Sequence, residues 1–109
     1  MPKIVMLIKR KPGLSHAEFQ EYYERVHAPL ARSVLVHMSN YTRNYLASFP
    51  GQPEPPFDCI TELWFADEHA LKASLAFGRS SEGAVLAEDE VNFVDREQTK
   101  VFLAIEENQ

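Results

Sequence analysis

A chain of 109 residues, 45% hydrophobic and 25% charged, reads as one domain, residues 1–109, able to bury roughly two-thirds of its unfolded surface without cross-links. The formal net charge of −5 argues against nucleic acid or an anionic membrane as the partner. The single cysteine, Cys59, cannot form an internal disulfide and fits a reducing, cytoplasmic setting, while no apolar run approaches a membrane span or a signal peptide.

Residues 3–10, KIVMLIKR, form a short β-rich run with apolar side chains at both parities: Ile4, Met6 and Ile8 on one face, Val5 and Leu7 on the other. A strand apolar on both faces is covered on both. In so small a protein helices can cover one side, and a second subunit is the natural cover for the other. Lys11-Pro12-Gly13 then turns the chain into a helix.

That helix is SHAEFQEYYERVHAPL, residues 15–30. Ser15 and Glu18 have the spacing of a capping box, and Phe19, Tyr22, Tyr23 and Val26 make one buried stripe. His27 falls on the flank of the stripe, where Pro29 forces the helix to end or kink. Residues 31–38 can continue helically. Residues 39–49 and 58–66 read as two strands of a hairpin around the proline-rich loop PGQPEPPF. Asp67 caps a helix over 68–77 with Leu71, Ser74 and Leu75 inward. A further helical stretch, 80–94, carries Val85, Leu86 and Phe93, and 98–106 is the last strand. The order strand, helix, strand, strand, helix, strand is that of a ferredoxin-like α+β sandwich with an antiparallel sheet.

Several chemistries lack their residues. His16, His27, His37 and His69 include no pair at the spacing of a helical metal face, though haem needs only one axial histidine and stays open. No nucleophile elbow or phosphate loop is present. The strand DCITELWF is acidic and lacks the aromatic run of an RNA-recognition motif. What remains is a groove between helix and sheet.

If Phe49 and Asp58 flank the hairpin turn, Tyr45 lies opposite Glu62 and Arg43 opposite Trp64, so all four share one face. Such a face is a solvated or interface patch, or the lining of a pocket for a polar aromatic ligand. His27 likewise has two readings: a helix-end residue interacting with the dipole and carbonyls, or a general base whose ordinary pKa near 6.5 suits proton transfer at neutral pH. Tyr22 and Tyr23 read as core residues with hydroxyls reaching water. Asp95-Arg96 reads as a local ion pair or cap, and Lys9-Arg10-Lys11 as a solvated strand end.

The segments LIKRKPGLSHAEF (7–19), VHAPL (26–30), YTRNYL (41–46), FDCITELWFAD (57–67) and FVDREQT (93–99) together resemble the EthD-domain family of the dimeric α/β-barrel superfamily. The resemblance implies that the sheet packs on a partner's to form a barrel across a homodimer, with a small-molecule cleft in each subunit. It gives His27 as the chief polar residue of that cleft. Cys59 stands where the family commonly has glycine, which narrows the pocket. The expected activity is cofactor-free acid–base chemistry by His27 on a cyclic or aromatic metabolite, namely dehydration, isomerisation or oxidation, in a pocket walled by Tyr23, Tyr45 and Trp64 and oriented by Arg43 or Glu62. The alternative is a non-catalytic accessory or carrier protein.

Overall fold

The computed structural model describes residues 1–108. Four strands, β1 (Pro2–Ile8), β2 (Met38–Tyr45), β3 (Cys59–Phe65) and β4 (Lys100–Ile105), form an antiparallel sheet in the order β2-β3-β1-β4. Helices α1 (His16–Tyr22), α2 (Ala28–Val34), α3 (Glu68–Gly78) and α4 (Ala84–Glu90) complete the ferredoxin-like arrangement.

Helix α1 starts where the capping box places it: Glu18 N–H donates to Ser15 Oγ at 3.1 Å, and Ser15 N–H donates to Glu18 Oε1 at 2.9 Å. The helix does not stop at His27. Pro29 cannot donate a hydrogen bond, and its ring crowds the carbonyl four residues back. The preceding turn, Tyr23–His27, widens into one turn of π-helix, with Ala28 N–H bonded to Tyr23 O, and the chain then runs on as α2. A π turn holds an extra residue, so the buried stripe slips by one position. Val26, expected inside, is 43% exposed, and His27, expected on the flank, is 7% exposed.

The hairpin also differs from expectation. Tyr45 faces Cys59, three residues before the expected Glu62, and Arg43 faces Thr61. The pairing closes at Leu46 N–H to Asp58 O, 3.0 Å, leaving residues 47–57 outside the sheet, because Pro53, Pro55 and Pro56 have no N–H to extend a ladder. An odd offset moves side chains to the opposite face. Tyr41, Arg43, Tyr45, Cys59 and Thr61 therefore lie on the helix side, and Glu62 and Trp64 on the outer side. There Lys3 Nζ reaches Glu62 at 2.8 Å and lies 4.8 Å from the Trp64 ring centre, while Trp64 Nε1 donates to Glu106 at 2.8 Å.

The core is built from Ile8, Phe19, Tyr23, Ala28, Cys59, Phe93 and Val94, with a second cluster of Leu63, Phe65 and Leu71. The expected helix over 80–94 is regular only in α4, which buries none of its residues. Ser74 of α3 is buried, but Leu75 is exposed. Helix α4 begins at a tight backbone contact. Gly83 is buried, and a Cβ added there would overlap the Phe77 carbonyl and lie 2.8 Å from Gly78 Cα. At the end of β1, Lys9 and Arg10 are not simply solvated: Arg10 N–H donates to buried Asp58 at 2.8 Å, and both side chains lie 3.6 Å from its carboxylate.

Ser15→Ala removes one half of the capping box and leaves the Glu18 amide without its acceptor. It is expected to lower stability by about 1 kcal/mol, read as a lower urea midpoint at an unchanged denaturant slope.

Candidate functional site

The π turn aims Tyr23 and His27 at the sheet, and between them lies a cavity of about 90 Å³. Its floor is Met6 and Ile8 of β1, Tyr41 of β2, and Thr61 and Leu63 of β3. Tyr23, His27, Ala31 and Leu35 cover it from the helix layer, and Leu86, Glu90, Phe93 and Val94 close the side.

His27 is the polar centre of this wall. Its ring packs 4.8 Å from Phe93 and 5.6 Å, edge-on, from Tyr23. Nδ1 lies 2.9 Å from Asp89 Oδ2. Asp89 also accepts from the Tyr22 hydroxyl at 2.6 Å and from Asn92 Nδ2 at 3.3 Å. Burial opposes ionisation of Asp89, but the hydrogen bonds from Tyr22, His27 and Asn92 outweigh it and hold the carboxyl below its ordinary range. A carboxylate at Nδ1 makes that nitrogen the proton-bearing one and leaves the lone pair on Nε2. Glu90, one residue on, has the opposite character. Burial is the main cause that pushes its carboxyl upward, against weaker opposition from His27 and Arg96.

A chain of hydroxyls lies at the floor. Tyr41 Oη donates to Tyr23 Oη at 3.1 Å, and Tyr23 Oη lies 2.7 Å from Thr61 Oγ1. Burial pushes the ionisation of both tyrosines upward, so both keep their protons as donors.

Of the six side chains singled out in the sequence, His27 and Tyr23 line the cavity. Arg43 and Tyr45 share its side of the sheet but are committed to Glu24: the guanidinium makes a bidentate pair at 2.8 and 2.9 Å, and the Tyr45 hydroxyl donates at 2.5 Å. Hydrogen bonding by Arg43 is the chief reason the Glu24 carboxyl is held down. Glu62 and Trp64 lie on the other face and take no part in the cavity, a consequence of the shifted register. Cys59 is fully buried behind Thr61 and does not narrow the cavity itself. Asp95 caps a turn, accepting from Glu97 N–H at 3.2 Å and Gln98 Nε2 at 2.8 Å. A haem does not fit: the His27 ring is packed on two sides, and the cavity is far smaller than a tetrapyrrole.

Asp89, Glu90, Tyr41 and Thr61 did not stand out in the sequence. A correct register would have brought Tyr41 and Thr61 to the helix side. Nothing in a single sequence ties Asp89 to a histidine 62 residues earlier.

The sequence matches the EthD domain family over residues 11–97. No curated protein sequence matches it. Among solved structures, it resembles an EthD-family protein from Bacillus halodurans (TM-score 0.75, 22% identity, 98% of this chain and 99% of that one). It also resembles an Arabidopsis thaliana protein (0.71, 16%, 100% and 98%). A third likeness is to a dimeric ferredoxin-like protein from Thermobifida fusca (0.63, 10%, 94% and 88%).

Because the folded Asp89 carboxyl titrates below its unfolded value, its contribution is complete above about pH 4 and is lost as pH falls through the depressed folded value. Urea unfolding between pH 6 and pH 2 is expected to find Asp89→Asn less stable than wild type at pH 6, with the gap narrowing steadily below pH 4.

Proposed function

We propose that this chain, which belongs to the EthD-domain family, takes a small cyclic or aromatic metabolite into the helix–sheet cavity and moves a proton on it with His27. The observation that carries this reading is the Asp89–His27 pair on the cavity wall. A buried imidazole fixed in one tautomer by a carboxylate is a general base that needs no cofactor. Its partner group is Glu90, whose raised carboxyl is suited to returning a proton elsewhere on the same molecule. Removal of a proton beside a carbonyl is the step common to isomerisation, dehydration and cofactor-free oxidation.

The cavity of about 90 Å³ is smaller than the ~150 Å³ apolar cavity that holds benzene in an engineered protein. Entry of a ring requires a side wall to yield, and the element suited to this is α4, which carries Leu86 and Glu90 yet has no fully buried residue. Carriage without chemistry is the second reading, favoured by the apolar wall of Met6, Ile8, Leu63, Leu86 and Val94.

The protein acts as a homodimer in this proposal, its outer sheet face packed on a second copy. That face presents Val5, Leu7, Ile60 and Trp64 half-exposed, with Phe102 52% exposed. On its helix-side face the edge strand β4 leaves Val101, Leu103 and Ile105 exposed. The description of the Thermobifida fusca protein as dimeric supports the same arrangement. The lone, buried thiol of Cys59 fits a reducing cytoplasm.

Proton transfer is tested by following hydrogen–deuterium exchange at acidic C–H positions of a panel of small cyclic ketones, quinones and enol-lactones in D2O, by NMR. Wild type is expected to accelerate exchange in at least one bound compound. His27→Ala is expected to lose a factor of about 10²–10⁴ while melting at a similar temperature. Compounds that bind to wild type and never exchange would establish carriage instead.

For the dimer, light scattering at micromolar concentration is expected to give twice the chain mass, and half that for the Val5→Glu/Phe102→Glu double variant. A monomeric wild type contradicts the arrangement.

A further inference from the structure

The hydrogen bonds at the cavity floor leave one proton over. Tyr41, Tyr23, Thr61 and Cys59 form a linear chain, with Oη–Oη 3.1 Å, Oη–Oγ1 2.7 Å and Oγ1–Sγ 3.6 Å. Four O–H or S–H protons serve three contacts, so one proton has no acceptor inside the chain. With Tyr41 donating to Tyr23, that proton can rest on Tyr23, on Thr61 or on Cys59. The thiol is the weakest donor of the four, so an unused S–H costs least and the spare proton rests there. Burial pushes the Cys59 thiol up to about 11, and it keeps its proton at neutral pH.

We propose that the Tyr23–Thr61–Tyr41 hydroxyl cluster is the oxygen-binding end of the cavity, accepting the carbonyl oxygen of a ketone-type ligand through the proton that Cys59 otherwise holds. When such an oxygen arrives, Cys59 S–H turns to donate to Thr61, and the Thr61 or Tyr23 hydroxyl turns to donate to the ligand. No group ionises and no covalent bond changes. Tyr23 is 2% and Thr61 1% exposed, so the donor acts in a site from which water is largely removed, where hydrogen bonds to a developing negative oxygen are strongest. The inference rests on the cavity being a ligand site. It adds an orientation: the ligand's carbonyl oxygen is directed at the sheet, and the acidic C–H beside it faces His27. Proton removal there places enolate charge on the hydroxyl cluster.

The test compares cyclopentanone, labelled with ¹³C at its carbonyl, with methylenecyclopentane, which has the same shape and no acceptor oxygen. Wild type is expected to bind the ketone about tenfold more tightly than the hydrocarbon, the worth of one buried hydrogen bond. Its infrared carbonyl band should lie below the position found in hexane. The triple variant Tyr23→Phe/Tyr41→Phe/Thr61→Val, which removes every hydroxyl of the cluster, should bring the two affinities together, whereas either Thr61→Val or Tyr23→Phe alone leaves a hydroxyl free to donate and should keep the preference. Cys59→Ala should keep both the preference and the band shift, because removing the thiol leaves the spare proton on a hydroxyl. Both compounds bound equally, with the band at its hexane position, overturns the proposal and leaves the cavity a ligand site. Uptake of neither compound overturns both. The band in wild type decides the matter even if a variant does not fold.

Discussion

The geometry of the site depends on a missing hydrogen-bond donor. Pro29 sits in the middle of a helical segment of this short chain and cannot close the α-helical ladder there. The chain answers by widening one turn, and this rotates everything after Tyr23 relative to everything before it. A straight α-helix would carry Val26 toward the sheet and leave His27 at the edge. The π turn exchanges them. A histidine is thereby set among aromatic side chains, where an imidazole is seldom placed without a partner, and the partner arrives from the far end of the chain as Asp89.

Two adjacent carboxylates then acquire opposite characters. Asp89 sits under three donors and stays ionised. Glu90 turns toward the apolar cavity and is pushed the other way. Neighbouring residues on one short helix thus hold carboxyls of opposite character, separated by which side of α4 each one faces. The same logic of commitment removes Arg43 from the site: its guanidinium is spent on Glu24, and a charge so paired has little left to offer a ligand.

Much of the architecture was legible in the order of elements and their local signals. The capping box at Ser15, the glycine and proline punctuation, and the both-faced apolar pattern of β1 led to the sheet and to the helix that covers it. Tyr23 and His27 were legible because they lie on that one helix. The rest was not, for two physical reasons. Side chains alternate with period two along a strand, so placing the hairpin closure at Phe49 instead of Leu46, an odd error, put Glu62 and Trp64 on the wrong face and hid Thr61. And a π turn leaves no mark in hydrophobic periodicity until one knows that Pro29 is threaded through the helix rather than placed after it.

The contact at Gly83 reaches further than its size suggests. Helix α4 is anchored at its start by backbone lying on backbone, with no room for a methyl group, and most of its residues are only half-buried. The start of the helix lies where only glycine fits. The placement of Asp89 beside His27 thus depends on a residue that touches neither. A methyl group at this position would displace the start of α4 and, with it, the carboxylate that Asp89 presents to His27.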